Sequence, residues 1–311
     1  MSISDIPKQE KIAEATVRVL ARPNANWRET GRMLSVLFKS RVVSLLLLAA
    51  VGGAFLGAQG WPGLDVLLLV IVTGGLAASG AAGLNQYLER DSDGTMGRTR
   101  KRPLVTGDVA PRWVLFGGIA MILVPSLLVL PFKPALTFYL LLGAVIYVGI
   151  YTIWLKPRTL LNIVIGGAAG SAAVMSGGAA VGNWQDPAVI SLALLVFLWT
   201  PSHFWSLAIL YRNDYAKAKV PMLPVQTSTR AAAVWVLLHT GAAGLAALLL
   251  AATPALGWLY LIPVGLVTAD MLLRNVRLLA RPNPKNARAL FLSSNIYLMV
   301  VLLAICIGVI L

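Results

Sequence analysis

Residues 64–104 read LDVLLLVIVTGGLAASGAAGLNQYLERDSDGTMGRTRKRPL. The first part of this stretch, 64–88, contains one charged residue, Asp65. A helix of about 20 apolar residues crosses the hydrocarbon core of a bilayer, so 64–88 is long enough to span. Three acids and five basic residues follow within 89–102, in a chain that is only 12% charged. A membrane span therefore ends in a concentrated polar site rather than in an ordinary loop.

The same apolar pattern recurs at 42–59, 111–130, 135–155, 159–180, 188–210, 231–252, 256–273 and 290–311, in a chain of 311 residues that is 58% hydrophobic. Spanning strands would be shorter and would alternate in polarity. These runs do not, and in hydrocarbon every backbone polar group must be paired within the segment. The sequence thus predicts an all-α, polytopic membrane bundle of nine transmembrane helices.

A net charge of +14 raises nucleic acid as a partner, but its distribution excludes that reading. Basic residues gather at 8–41, 90–112, 156–158, 211–230 and 274–288, whereas the intervening loops at 60–63, 131–134, 181–187 and 253–256 contain only Lys133. Positive loops stay cytoplasmic. Nine spans then place the N-terminus inside and the C-terminus outside the cytoplasmic (inner) membrane, with the lipid bilayer as the main partner.

Residues 1–41 are polar and basic without an apolar core, which argues against a cleavable signal peptide. They read as a cytoplasmic extension, partly helical along the membrane surface, ahead of one transmembrane domain at 42–311. The single cysteine, Cys306, forms no intrachain disulfide. Glycine pairs inside the spans, such as Gly52-Gly53 and Gly177-Gly178, suit close helix contact. The two longest basic loops, near 89–110 and 211–230, are four spans apart and so lie on one side. That parity also suggests two four-helix halves.

Asn85, Glu89 and Asp93 are spaced i, i+4, i+8. On a helix they stay within about 80° of one another over about 12 Å of rise. This stripe of hard oxygen donors suits Mg²⁺, which takes one or two carboxylates and completes its shell with water and substrate phosphates. Asp91 joins only if the helix stops at Gly94 or before. Arg98 and Arg102 are again i, i+4, with Pro103 as the stop of any helix. Two guanidiniums on one face suit a diphosphate, and Lys156, between the fourth and fifth spans, adds charge.

In the second loop His203, Leu207, Leu210 and Asp214 fall near one helical stripe, with Asp214 at the mouth and His203 about 16 Å deeper. The residue types leave three roles open for His203: contact to an organic substrate, axial iron ligand, or proton acceptor. Asn162 is either a polar helix contact or a cavity residue.

At these residues the chain resembles the UbiA-type intramembrane prenyltransferase superfamily, over nearly all nine spans. The superfamily's first motif, Asn-x-x-x-Asp-x-x-x-Asp, is met by Asn85, Glu89 and Asp93, with Glu in the middle place. The chain is most similar to the subgroup that farnesylates protohaem IX. Glu-Arg-Asp-x-Asp occurs at 89–93, Arg-Thr-x-x-Arg-Pro-Leu at 98–104, Trp-x-Pro-x-His-Phe at 199–204, Asp-Tyr-x-x-Ala-x-x-Pro-Met-Leu-Pro at 214–224, and Asn-Ile-Val-Ile-Gly-Gly from Asn162. Two places depart from the superfamily. The second acidic motif keeps only Asp214, with Leu210 in the first position, and Gly97 replaces a Pro or Gly-type position after the first motif.

The resemblance implies a Mg²⁺-dependent enzyme with farnesyl diphosphate as donor and haem B as acceptor. It implies that Asn85, Glu89, Asp93 and Asp214 hold the metal, that Arg98, Arg102 and Lys156 bind diphosphate, and that His203 orients the porphyrin or assists a water. A haem A synthase is a candidate partner. The rival readings are a prenyltransferase for a quinone precursor or chlorin, and a transporter. Transporter sites tend to sit at the bilayer midplane in broken helices, whereas these acids sit at span ends beside Arg.

Overall fold

The computed structural model describes residues 26–311. The predicted extension at 1–25 lies outside the described residues. Helix α1 (Trp27–Leu37) precedes the first span, α2 (Ser40–Ala58). The second span, α3 (Leu64–Thr95), carries the quoted stretch, and the short α4 (Pro103–Thr106) follows it. Then come α5 (Pro111–Val129) and α6 (Pro134–Ala144), which continues without a break as a π-helix over Val145–Leu155. The fifth span is α7 (Asn162–Gly166) with α8 (Ala168–Ala180), and the sixth is α9 (Pro187–Leu210). Two short helices, α10 (Arg212–Lys217) and α11 (Leu223–Gln226), lead to α12 (Thr229–Leu250), α13 (Gly257–Ala280) and α14 (Pro284–Gly308).

Nine of these segments, among the described residues, are long and apolar enough to cross a membrane, and they coincide with the nine predicted runs. Residues such as Leu128, Leu249 and Leu266 project outward, more than half exposed. An outer surface this apolar has lipid, not water, as its solvent. The protein is an integral membrane protein.

The ends differ from expectation where charge lies on the helix itself. The second span runs on to Thr95 and the eighth to Ala280, because Glu89, Arg274 and Arg277 continue the helix instead of ending it. Helices of the two suggested four-helix halves pack closely against each other. The first span, α2, packs chiefly against α8 of the fifth, and α9 sits centrally, touching α2, α8, α12 and α14.

The contact between α2 and α8 explains the small residues. A Cβ on Gly177 would stand 1.7 Å from the Ala50 carbonyl oxygen, and one on Gly53 would stand 2.2 Å from that of Val174. Each helix therefore needs a missing side chain where the other's backbone passes. Gly177→Ala should force the two helices apart at a cost of about 1–3 kcal/mol or more, as overpacking does. The check is the yield of monodisperse protein after detergent extraction, which should drop sharply. An unchanged yield would mean that the helices can separate freely.

Candidate active site

The polar end of α3 gathers partners from three other segments. Asn85 is 1% exposed and Asp93 is 3% exposed. Lys39 Nζ donates to Asn85 Oδ1 at 2.5 Å and to the Tyr147 hydroxyl at 2.9 Å. Asn85 Nδ2 in turn donates to Thr152 Oγ1 at 3.0 Å. Lys156 Nζ pairs with Glu89 Oε1 at 2.5 Å, and Arg102 Nη1 pairs with Asp93 Oδ2. All three predicted stripe residues thus face one cluster, in which three cations meet two carboxylates.

Asp91 stays out of it. The helix continues to Thr95, so the Asp91 carboxylate turns to solvent, 94% exposed and 3.8 Å from Arg90 Nε.

Two expectations about the loop are corrected. Arg98 and Arg102 do not share a helical face, because α3 stops at Met96, which is extended at φ −96°, ψ 132°. The turn that follows sends them different ways. Thr99 Oγ1 donates to the Asp93 carbonyl and folds the turn back, bringing Arg102 to Asp93. Pro103 ends no helix. It occupies the first position of α4, where its missing N–H costs nothing, and Arg102 before it takes the extended conformation that precedes proline.

Arg98 reaches the second loop instead. Its guanidinium lies 5.6 Å from the centre of the Tyr211 ring. It also stands beside the buried Tyr215 hydroxyl, which burial pushes above the ordinary phenol range while Arg98 opposes the shift and Glu89 adds to it. The two polar loops therefore meet at one mouth, as their parity allows.

The predicted stripe from His203 to Asp214 is broken. Tyr211, at φ −109°, ψ 29°, ends α9, and Asp214 rides on the separate helix α10. Its carboxylate sits over Gly97, where a Cβ would meet Asp214 Oδ2 at 3.6 Å. Asp214 is at the mouth but outside the network of Glu89 and Asp93. His203 lies deeper, against α14. Asn162 is fully buried, donates to the Thr159 carbonyl at 2.5 Å, and leaves its Oδ1 without a partner among the described residues.

The sequence reading missed Lys39 and the π-helix. Lys39 interrupts α1 and α2 in the left-handed conformation, at φ 50°, which is uncommon for a residue with a side chain. That kink drops its amine into the cluster, where burial, with help from Arg102, lowers its pKa to about 7. In an α-helix the nine residues from Tyr147 to Lys156 would put the two on opposite faces. The π winding, with bonds such as Lys156 N to Tyr151 O at 2.8 Å, turns Tyr147, Thr152 and Lys156 together toward α3. Such winding is frequent at functional sites.

Among the described residues, no three His, Cys, Asp or Glu side chains stand close enough to hold one ion. Glu89 and Asp93 are nevertheless hard donors one helical turn apart, with Asn85 a turn deeper. That set fits Mg²⁺ of the kind that borrows the rest of its shell from substrate phosphates. The surplus of cations fits the same anionic ligand.

Nine membrane-length helices among the described residues, with carboxylates paired to cations at one end, define an integral membrane protein with a concentrated charged site. The pattern of the UbiA prenyltransferase family matches residues 45–303, and the chain belongs to that family. It is similar to a protoheme IX farnesyltransferase of Metallosphaera sedula, 40% identical over 273 residues that cover 86% of this chain and 93% of the relative. The fold is similar to a solved structure of digeranylgeranylglyceryl phosphate synthase, with a TM-score of 0.74 at 17% identity, over 91% of this chain and 99% of that one. It is also similar to a UbiA homologue from Archaeoglobus fulgidus bound to GPP and Mg²⁺, with a TM-score of 0.58 at 13% identity, over 88% and 99% of the two chains.

Proposed function

We propose that this chain is a Mg²⁺-dependent prenyltransferase that moves the farnesyl group of farnesyl diphosphate to a vinyl group of haem B, giving haem O and diphosphate. One observation carries the site assignment: Glu89 and Asp93 face Lys39, Lys156 and Arg102 in a single network at the polar end of the bundle. The acceptor rests on the 40% identity to a named protoheme IX farnesyltransferase.

Glu89 and Asp93, helped by Asn85, would hold Mg²⁺, with Asp214 as a further donor from the second loop. Lys39, Lys156, Arg102 and Arg98 turn to the phosphate oxygens. Bound Mg²⁺ supplies further neutralisation of the leaving group. Fixed cations placed where negative charge develops lower the barrier most. The C–O bond to the farnesyl carbon breaks with its electron pair leaving on diphosphate. The apolar walls of the bundle keep water from the allylic cation. The π pair of a haem vinyl group then forms the new C–C bond, and water adds to the resulting cation and loses a proton, leaving a hydroxyethylfarnesyl side chain.

The polar end faces the cytoplasm of the inner membrane in this reading, with the N-terminus inside and the C-terminus outside. A haem A synthase is the partner such a product would feed.

Mass spectrometry of haems from cells with and without this chain tests the reading. A farnesylated, hydrated haem should appear only with it. Farnesylation of a quinone precursor or chlorin instead, or substrate uptake into vesicles without release of diphosphate, would overturn it. The transporter alternative has less support, since the charged groups cluster at helix ends and not near the bilayer midplane.

A further inference from the structure

The seam between α9 and α14 holds a second polar arrangement, separate from the carboxylates. His203 is held between two rings: Trp199 stacks on it with centroids 4.4 Å apart, and Phe291 lies 4.7 Å away on a tilted plane. Its Nδ1 is 2.8 Å from Ser294 Oγ. That hydroxyl donates its only hydrogen to the Phe291 carbonyl, also at 2.8 Å. Both contacts are hydrogen bonds at the same time only in the tautomer in which Nδ1 donates to the hydroxyl. Trp199 Nε1 donates to the Ser294 carbonyl at 2.9 Å and fixes the serine from the other side.

In a neutral imidazole with hydrogen on Nδ1, the lone pair is on Nε2. Nε2 has no hydrogen-bond partner among the described residues, and it is not one of the buried polar atoms left without one, so the protein does not fully enclose it. A ring that is clamped on its faces, oriented through one N–H and bare at the other nitrogen has the form of a metal-ligating histidine. A general base would gain a positive charge, and the partner at Nδ1 is a serine hydroxyl, which offers no anion to offset it. Coordination leaves the ring neutral.

We infer that His203 Nε2 is the axial ligand to the iron of the porphyrin acceptor, with Ser294 as the positioning residue that fixes its tautomer. This rests on the haem reading above. It puts the iron eight residues, or about 12 Å of helical rise, deeper than Tyr211, where Arg98 marks the diphosphate mouth. The acceptor is thereby recognised through its metal at one depth and the donor through its phosphates at another.

The test uses the full chain in nanodiscs with added protohaem IX, read by absorption and magnetic circular dichroism. The wild type should show a histidine-ligated spectrum. His203→Gln should lose it, bind protohaem at least ~10-fold more weakly, and recover the spectrum with added imidazole. Metal-free protoporphyrin IX should bind both alike. Ser294→Ala should keep the ligand but weaken protohaem binding by about 10-fold or more, the usual cost of losing the group that orients a metal-ligating histidine. Unchanged affinity for farnesyl diphosphate shows that each variant is folded.

An unaltered spectrum in His203→Gln overturns the inference, as does an equal loss of affinity for metal-free porphyrin. Haem O production by a wild type without a histidine-ligated spectrum would remove the ligand and leave farnesyl transfer standing. A histidine-ligated spectrum lost in His203→Gln, in a chain that farnesylates some other acceptor, would support the ligand and remove the proposed reaction.

Discussion

Replacing Glu89 with Gln should lower haem O production at least ~10²-fold while the protein remains folded in the membrane, since a single stabilising group aimed at developing charge is worth a few kcal/mol. Glu89 accepts a hydrogen bond from Lys156 at 2.5 Å. The substitution removes one hard metal donor and also leaves a half-buried ammonium without its counter-charge. Asp93→Asn should act in the same way, because Asp93 is buried against Arg102. A purely structural ion pair predicts a different pattern, since removing both partners of a buried pair is often neutral. The double variant Glu89→Gln with Lys156→Met would then regain function along with stability. In the catalytic reading it regains stability at most and stays inactive. Near-normal haem O from either single variant, quantified by chromatography and mass spectrometry, would remove these carboxylates from the chemistry.

How far the sequence discloses this site depends on which physical signal each part leaves. The spans were legible because long uncharged runs in lipid have one secondary structure open to them. Asn85, Glu89 and Asp93 were legible because the i, i+4, i+8 spacing starts inside such a run and so fixes both the helix and the facing stripe. The loop at 96–102 was not, since proline closes one helix or opens the next with equal ease, and here Pro103 opens α4. The break at Tyr211 carries neither Gly nor Pro to announce it. Residues 145–155, VIYVGIYTIWL, have the composition of any membrane helix, and only the bonding pattern separates π from α winding. The meeting of Arg98 with Tyr211 and Tyr215 is a contact across 113 to 117 residues of chain, which no local pattern encodes.

Lys39→Met should weaken binding of a non-hydrolysable farnesyl diphosphate analogue by about 10- to 100-fold, the range expected for losing a charge-assisted hydrogen bond of about 1.5–3 kcal/mol. From sequence alone Lys39 is one more interface lysine, at the edge of a basic segment, and snorkelling accounts for most of those. The structure places its ammonium elsewhere. It is turned inward between Asn85 and Tyr147, with Arg102 and Lys156 close enough to oppose its charge. Neither direct hydrogen-bond partner is an anion, so holding the ammonium there carries a cost. The left-handed backbone at the same residue adds to that cost. Glu89 and Asp93 offset only part of that cost, and an arriving diphosphate adds negative charge that reverses the balance. The substitution should therefore separate two quantities that a structural lysine would lose together. Affinity for the analogue should fall, while the melting temperature of the ligand-free protein in detergent should hold or rise, because a thioether in place of the ammonium buries no charge. Protohaem affinity, set in the α9–α14 seam, should not change. A variant with intact analogue binding and a lowered melting temperature would show that Lys39 serves the junction of α1 and α2 and not the substrate.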